Sequence, residues 1–111
     1  VDKKPYLSIK SEVLTKLEAN LPVLRAKYGI VTIGIFGSVS RGEDIPESDV
    51  DVLYTFKGES VGMEVFLDLA DYLEDLFGRK VELVSAKWLS PYLRPYVEND
   101  VILYGADKGI A

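Results

Sequence analysis

The sequence predicts an α/β domain: a small mixed sheet with helices on one face. Two observations carry this. Apolar runs of strand length fall around Ile30–Phe36, Asp49–Phe56, Lys80–Ser85 and Val101–Tyr104. The segments before and between them carry apolar residues at helical spacing. The resulting order, αβ(α)βαβαβ, lays helices over a sheet and leaves the other face open enough for charged groups. With 111 residues, 48% of them hydrophobic and 28% charged, the chain is expected to form one domain, 1–111, with its own core.

Taken in order, the elements follow from local signals. Ser8 or Ser11 caps a first helix whose Val13, Leu14, Leu17 and Leu21 share a side. Pro22 either interrupts that helix or opens a new turn, and Leu24 and Tyr28 continue the apolar side to Gly29. The first strand, Ile30 to Phe36, leads through Gly37 into a short helical turn after Ser38. The second strand, Asp49 to Phe56, ends at the turn Lys57-Gly58-Glu59-Ser60. Phe66, Leu69, Ala70, Leu73, Leu76 and Phe77 then repeat at helical spacing. Gly78 stops this helix, and Arg79 and Lys80 sit near its negative end. Beyond the third strand, Ser85 to Trp88 and Pro91 to Asn99 read as short helices, with Pro91 suited to a helix start. Val101 to Tyr104 is a last strand ended by Gly105, and the tail to Ala111 is expected to be loose.

The chemistry concentrates between Gly34 and Leu53. Gly37 allows a tight exit from the first strand, because it tolerates backbone angles that other residues avoid. Ser38 caps the turn that follows, where free backbone N–H groups gather and attract phosphate. Ten intervening residues later comes Asp49-Val50-Asp51. Residues two apart on a strand share a face, so Asp49 and Asp51 project together while Val50 and Val52 point the other way. Strands disfavour Asp, and like charges on one face repel, so the pair calls for compensation that a divalent cation supplies. A phosphate cradle facing a carboxylate pair is the minimum apparatus for metal-assisted phosphoryl or nucleotidyl transfer. In Val81-Glu82-Leu83, Glu82 points away from its apolar neighbours. Arg41, in the loop, either clamps a phosphate or pairs with Glu43, Asp44 or Glu47.

Composition narrows the chemistry. The chain has no Cys and no His, which removes disulfides, thiolate and imidazole metal sites, and nucleophiles activated by His. A metal must be held by oxygen, which favours Mg²⁺ or Mn²⁺. A general base must be a carboxylate or come from the substrate's own surroundings. A net charge of −5 fits direct nucleic-acid binding poorly and a basic protein partner better. No signal peptide or membrane span is visible, as expected of a cytoplasmic protein with no membrane association. Val1 as the first residue is expected of a chain whose initiator Met was removed or whose end was trimmed.

On these residues the chain resembles the polymerase-β-type nucleotidyltransferases, and specifically the minimal nucleotidyltransferase (MNT) antitoxins that accompany HEPN toxins. The family signature, Gly-Ser, ten residues, Asp-x-Asp, is matched by Gly37, Ser38, Asp49 and Asp51. Arg41-Gly42 matches an Arg-Gly frequent in the family's loop, and Ser48 matches the Ser before the first Asp. The resemblance implies a nucleotidyltransferase palm. It implies Asp49, Asp51 and Glu82 as catalytic carboxylates and metal ligands, with Glu82 where the family usually carries Asp. Gly37, Ser38 and Arg41 are then nucleotide-binding, with ATP as donor and Mg²⁺ as cofactor. The implied partner is a cognate HEPN ribonuclease toxin, silenced by transfer of AMP to a tyrosine hydroxyl.

Two further readings come from different classes. The protein could act stoichiometrically, as a binding antitoxin on a nucleotidyltransferase fold. It could also modify a small molecule, with a helical partner chain supplying the acceptor pocket. Glu64, Asp68, Asp71 and Asp75 share one side of the long helix and read first as a solvated face, second as a contact for a basic partner. Trp88, Tyr92 and Tyr96 read as core or edge packing rather than as a base-stacking platform.

Overall fold

A computed structural model of the protein describes residues 5–57 and 62–105. The expected turn at Lys57-Gly58-Glu59-Ser60 and the tail after Gly105 fall, beyond Lys57, outside the described residues. Helices α1 (Lys10–Ala19) and α2 (Leu21–Tyr28) meet at Asn20, and Pro22 occupies the first turn of α2, so it opens a new helix. Then follow β1 (Ile30–Phe36), α3 (Gly37–Arg41), β2 (Val50–Phe56), α4 (Met63–Phe77) and β3 (Val81–Ser85). A 3₁₀ turn (Ala86–Trp88), α5 (Arg94–Asp100) and β4 (Ile102–Gly105) complete the order. The sheet runs β3-β2-β1-β4. β1 is antiparallel to both β2 and β4, whereas β2 and β3 are parallel. A parallel pair needs a crossover, and α4 supplies it.

Strand alternation sends two sets of side chains in opposite directions. On one face, Ile33 and Ile35 of β1 and Val50, Val52 and Tyr54 of β2 join Val13, Leu17, Leu24, Leu69 and Leu73 in the main core. The three longer helices thus cover this face, as expected. Leu17 and Leu73 are fully buried, and truncating either to Ala would cost about 2–5 kcal/mol. On the opposite face Leu53 packs with Leu89 and Val97, flanked by Phe36, Val84 and Leu103. The C-terminal segment therefore roofs part of the second face. The residues before Leu53 and Val84 on that face are Asp51 and Glu82.

Local boundaries differ from the sequence reading in three places. β2 begins at Val50, so Asp49 stands just ahead of the strand. α5 begins at Arg94 with Pro95 in its first turn, because residues 91–93 form a separate turn pinned by Tyr92 N–H donating to Ser90 Oγ at 3.1 Å. Ser11 caps nothing at the start of α1; Ser8 Oγ accepts from Lys10 N–H at 3.0 Å.

The rest of that cap comes from 35 residues away. Asp44 accepts from Ile9 N–H at 3.1 Å and from the hydroxyls of Ser8 and Tyr6. Its exposure is only 5%. Burial pushes the Asp44 carboxyl up, but the hydrogen bonds from Ser8, Tyr6 and the backbone outweigh it and hold it below its ordinary value. Arg79 follows the end of α4, and its guanidinium turns to the loop and Tyr6. Its Nη1 donates to Ser48 O at 3.0 Å and its Nη2 to Tyr6 Oη at 2.8 Å. The loop between α3 and β2 is therefore fastened from two sides.

Replacing Asp44 by Ala strips three donors of their acceptor, and should cost about 2 kcal/mol in chemical denaturation at neutral pH. A carboxyl lowered in the fold contributes stability above its unfolded pKa and loses it as pH falls through the folded one. The gap between wild type and variant should accordingly close below about pH 4.

Candidate active site

The backbone register builds the site. Phe36, the last residue of β1, is opposite Asp51 on β2, and Asp51 is opposite Glu82 on β3. The turn after β1 and two of the predicted carboxylates thus meet at one end of the sheet. Gly37 has φ +78°, a left-handed conformation that favours glycine. A Cβ on Gly37 would lie within contact distance of Asp51 Oδ2. Gly37 is required twice, once for its backbone angle and once for the space that the Asp51 carboxylate fills.

Ser38 is the second residue of α3, and among the described residues no side chain caps that helix. The expected capping by Ser38 is not made, because the helix has already begun at Gly37. First-turn N–H groups of a helix lack intrahelical acceptors, which leaves the start of α3 rich in donors. Ser40 is buried and fixes the turn from within, its Oγ donating to Gly37 O at 2.9 Å.

Electrostatics mark Asp51. Its carboxyl is pushed up to about 6, first by burial, then by Glu82 and Asp49, with Arg41 opposing. Both remaining predicted carboxylates are therefore close enough to be felt. Glu82 and Asp49 are exposed. Among the described residues no three acidic side chains already converge as a ligand set. The donors are all oxygen, and Asp51 sits in negative potential that Arg41 offsets only in part; both suit a hard divalent cation.

Arg41 is paired rather than free. It donates to Glu43, a partner expected from the loop sequence, and also to Asp100, which sequence reasoning did not single out. Asp44, also expected as a partner for Arg41, is instead turned toward α1. Tyr92 and Tyr96 depart from the expected core or edge packing: they are 86% and 71% exposed, Tyr92 in the turn ahead of α5 and Tyr96 on the side of α5 away from the buried Val97. The side chain of Trp88 lies outside the described residues. Glu64, Asp68, Asp71 and Asp75 are all exposed, as a solvated face would be, although Asp68 accepts from Tyr28 Oη at 2.9 Å.

A four-stranded mixed sheet with helices, carrying a Gly-Ser turn against paired acids, is the architecture of a nucleotidyltransferase. The family described as Polymerase beta, Nucleotidyltransferase matches residues 19–109. The protein adenylyltransferase MntA of Thermococcus cleftensis is 37% identical over 91 residues, covering 82% of this chain and 91% of the relative. A solved structure described as a candidate minimal nucleotidyltransferase is similar with TM-score 0.70 at 35% identity, over 84% of this chain and 93% of that one. A structure of tri-AMPylated Shewanella oneidensis HEPN toxin in complex with MNT antitoxin is similar with TM-score 0.55 at 20% identity, over 87% of this chain and 70% of that one, a likeness of fold. The chain belongs to the polymerase-β-type nucleotidyltransferase family, at its minimal, protein-adenylyltransferase end. No described helix is long and apolar enough to cross a membrane.

Two outcomes follow from this geometry. Gly37→Ala should displace Asp51 and lower nucleotide transfer by at least about tenfold, at a stability cost of roughly 1–2 kcal/mol; transfer at the wild-type rate would remove the Gly37–Asp51 contact from catalysis. The second outcome concerns pH. A carboxyl whose folded pKa is raised favours the fold while protonated, and that contribution is lost as pH rises toward the folded value. In the metal-free protein, Asp51→Asn should therefore gain stability relative to wild type as pH rises from about 4 to about 6. Denaturant titrations across that interval measure it.

Proposed function

We propose that the protein silences a cognate HEPN ribonuclease toxin by transferring AMP from ATP to a tyrosine hydroxyl of that toxin. The observation that carries the reading is the juxtaposition of Gly37, Asp51 and Glu82 at one sheet end. The MntA relative and the fold shared with the antitoxin of an AMPylated toxin complex support the choice of donor and acceptor.

In this reading the α3 turn at Gly37 and Ser38 holds the β- and γ-phosphates through backbone N–H groups, and Arg41 adds a charged fork. Asp49, Asp51 and Glu82 would hold Mg²⁺, or Mn²⁺, which supplies charge neutralisation at the phosphates and a lowered pKa for the attacking hydroxyl. The tyrosine oxygen forms a bond to the α-phosphorus as the bond to the bridging oxygen breaks, and pyrophosphate leaves in line. The phenolic proton passes to a carboxylate, Glu82 in our assignment, since the chain has no His to receive it. The acceptor must be brought by the partner, which presents its own tyrosine.

A second reading, stoichiometric occlusion of the toxin, draws on Glu82, which is exposed and stands where the family usually carries Asp. The two differ in a single experiment. Covalent transfer predicts neutralisation at well below one equivalent, dependent on ATP, divalent metal, Asp49 and Asp51, persisting after the protein is removed, with AMP mass added to the toxin. One-to-one neutralisation by Asp49→Asn in EDTA, with no mass added, would establish occlusion instead.

A further inference from the structure

Two acids hold Arg41, and they reach it from different parts of the chain. Its Nε–H donates to Glu43 Oε1 at 2.9 Å, and Nη1–H donates to Asp100 Oδ2 at 2.6 Å. Glu43 is a near neighbour with a side chain 66% exposed. Asp100 is 59 residues away and its side chain is 13% exposed. The second contact ties the end of α5 to α3, the turn that carries Gly37 and Ser38.

Asp100 is poorly placed for its own helix. It is the last residue of α5, where the backbone carbonyls gather partial negative charge, and no basic residue in the last turn offsets it. Helix formation does not explain an acid there; Arg41 does. A guanidinium carries five N–H donors in one plane. The two contacts use one on Nε and one on Nη1, leaving the second on Nη1 and both on Nη2 for another acceptor. Glu43 and Asp100 together fix the orientation of that plane, and the less exposed, longer-range contact is the one to Asp100.

We propose that Asp100 is a positioning residue for nucleotide transfer, holding the Arg41 guanidinium in α3 with its remaining donors set to meet the triphosphate. The inference rests on the reading of Gly37, Ser38 and Arg41 as the triphosphate site. Preorganisation is its physical content. An arginine already fixed loses less freedom when phosphate arrives, and it need not be reoriented during the reaction. α5 thereby belongs to the nucleotide site through Asp100.

The test uses the full chain with Asp100→Asn, Asp100→Glu, Arg41→Ala and the double variant Arg41→Ala/Asp100→Asn. Each is titrated calorimetrically with a non-hydrolysable ATP analogue and Mg²⁺, and its thermal unfolding is recorded. Asp100→Asn should bind the analogue about tenfold more weakly with an unchanged unfolding midpoint, because it removes a carboxylate that opposes the helix dipole. Asp100→Glu should recover part of the affinity. In the Arg41→Ala background, Asp100→Asn should have no further effect, the non-additivity expected of residues acting through one another. Unchanged or tighter binding by Asp100→Asn would overturn the proposal, tighter binding meaning that Asp100 competes with triphosphate for Arg41. So would a loss that persists without Arg41. Wild-type affinity in Arg41→Ala would overturn it together with the role of Arg41, while transfer dependent on Asp49 and Asp51 would leave the proposed function standing.

Discussion

Phe36 stands opposite Asp51 in the antiparallel β1–β2 ladder, so the residue that follows Phe36 is set beside the Asp51 carboxylate. The approach is close enough that a Cβ at Gly37 would push the Asp51 carboxylate aside. The two halves of the site are otherwise unrelated pieces of chain, a turn rich in N–H donors and a strand start rich in acid. Hydrogen-bonded register, rather than any direct bond between them, holds the two at a constant separation. A slip of one residue would turn Asp51 into the core and Val50 or Val52 out of it. The apolar packing of Ile35, Val50 and Val52 against the helices thus fixes the position of the carboxylate.

The loop from Gly42 to Asp49 has no regular structure, yet it must deliver Asp49 to a defined place. Its anchors are polar. Asp44 reaches the start of α1, and Arg79 holds Ser48 from the far end of α4. Tyr6 connects the two, donating to Asp44 and accepting from Arg79, whose guanidinium also lies 5.8 Å from the centre of its ring. Helix start, loop and helix end are joined around one buried carboxylate. This network stands behind the loop that leads into β2, and its members are not the residues assigned to chemistry.

The site carries charge that its own residues balance only in part. Asp51 is pushed up to about 6 because burial and two neighbouring acids all disfavour its charge, and Arg41 offsets them only in part. Arg41 is itself divided between Glu43 and Asp100. Negative potential on the strand side and a restrained cation on the α3 side form a polarised pair. A triphosphate accompanied by a divalent cation carries the complementary charges in the complementary order.

The sequence by itself determined the element order, the strand alternation and the family. The α4 stripe of Leu69, Leu73 and Phe77 was legible because helical periodicity is local, and the Gly37-Ser38 to Asp49-x-Asp51 spacing was legible because it is written along the chain. Glu82 was legible from alternation and family position, though its placement opposite Asp51 emerges only in the β2–β3 register. Sequence could not assign Asp44 to α1, Arg79 to the loop or Asp100 to Arg41, because each pairs residues at least 31 positions apart. One signal for Asp100 was present: an acid closing a helix with no basic residue nearby. Nor could it expose Tyr92 and Tyr96, since Tyr92 lies in a turn ahead of α5, and in so short a helix the tertiary packing of Val97 decides which side faces in. Local pattern sets what each segment becomes; which polar groups meet depends on how the segments pack, because a charge is satisfied by whichever partner the fold brings within reach.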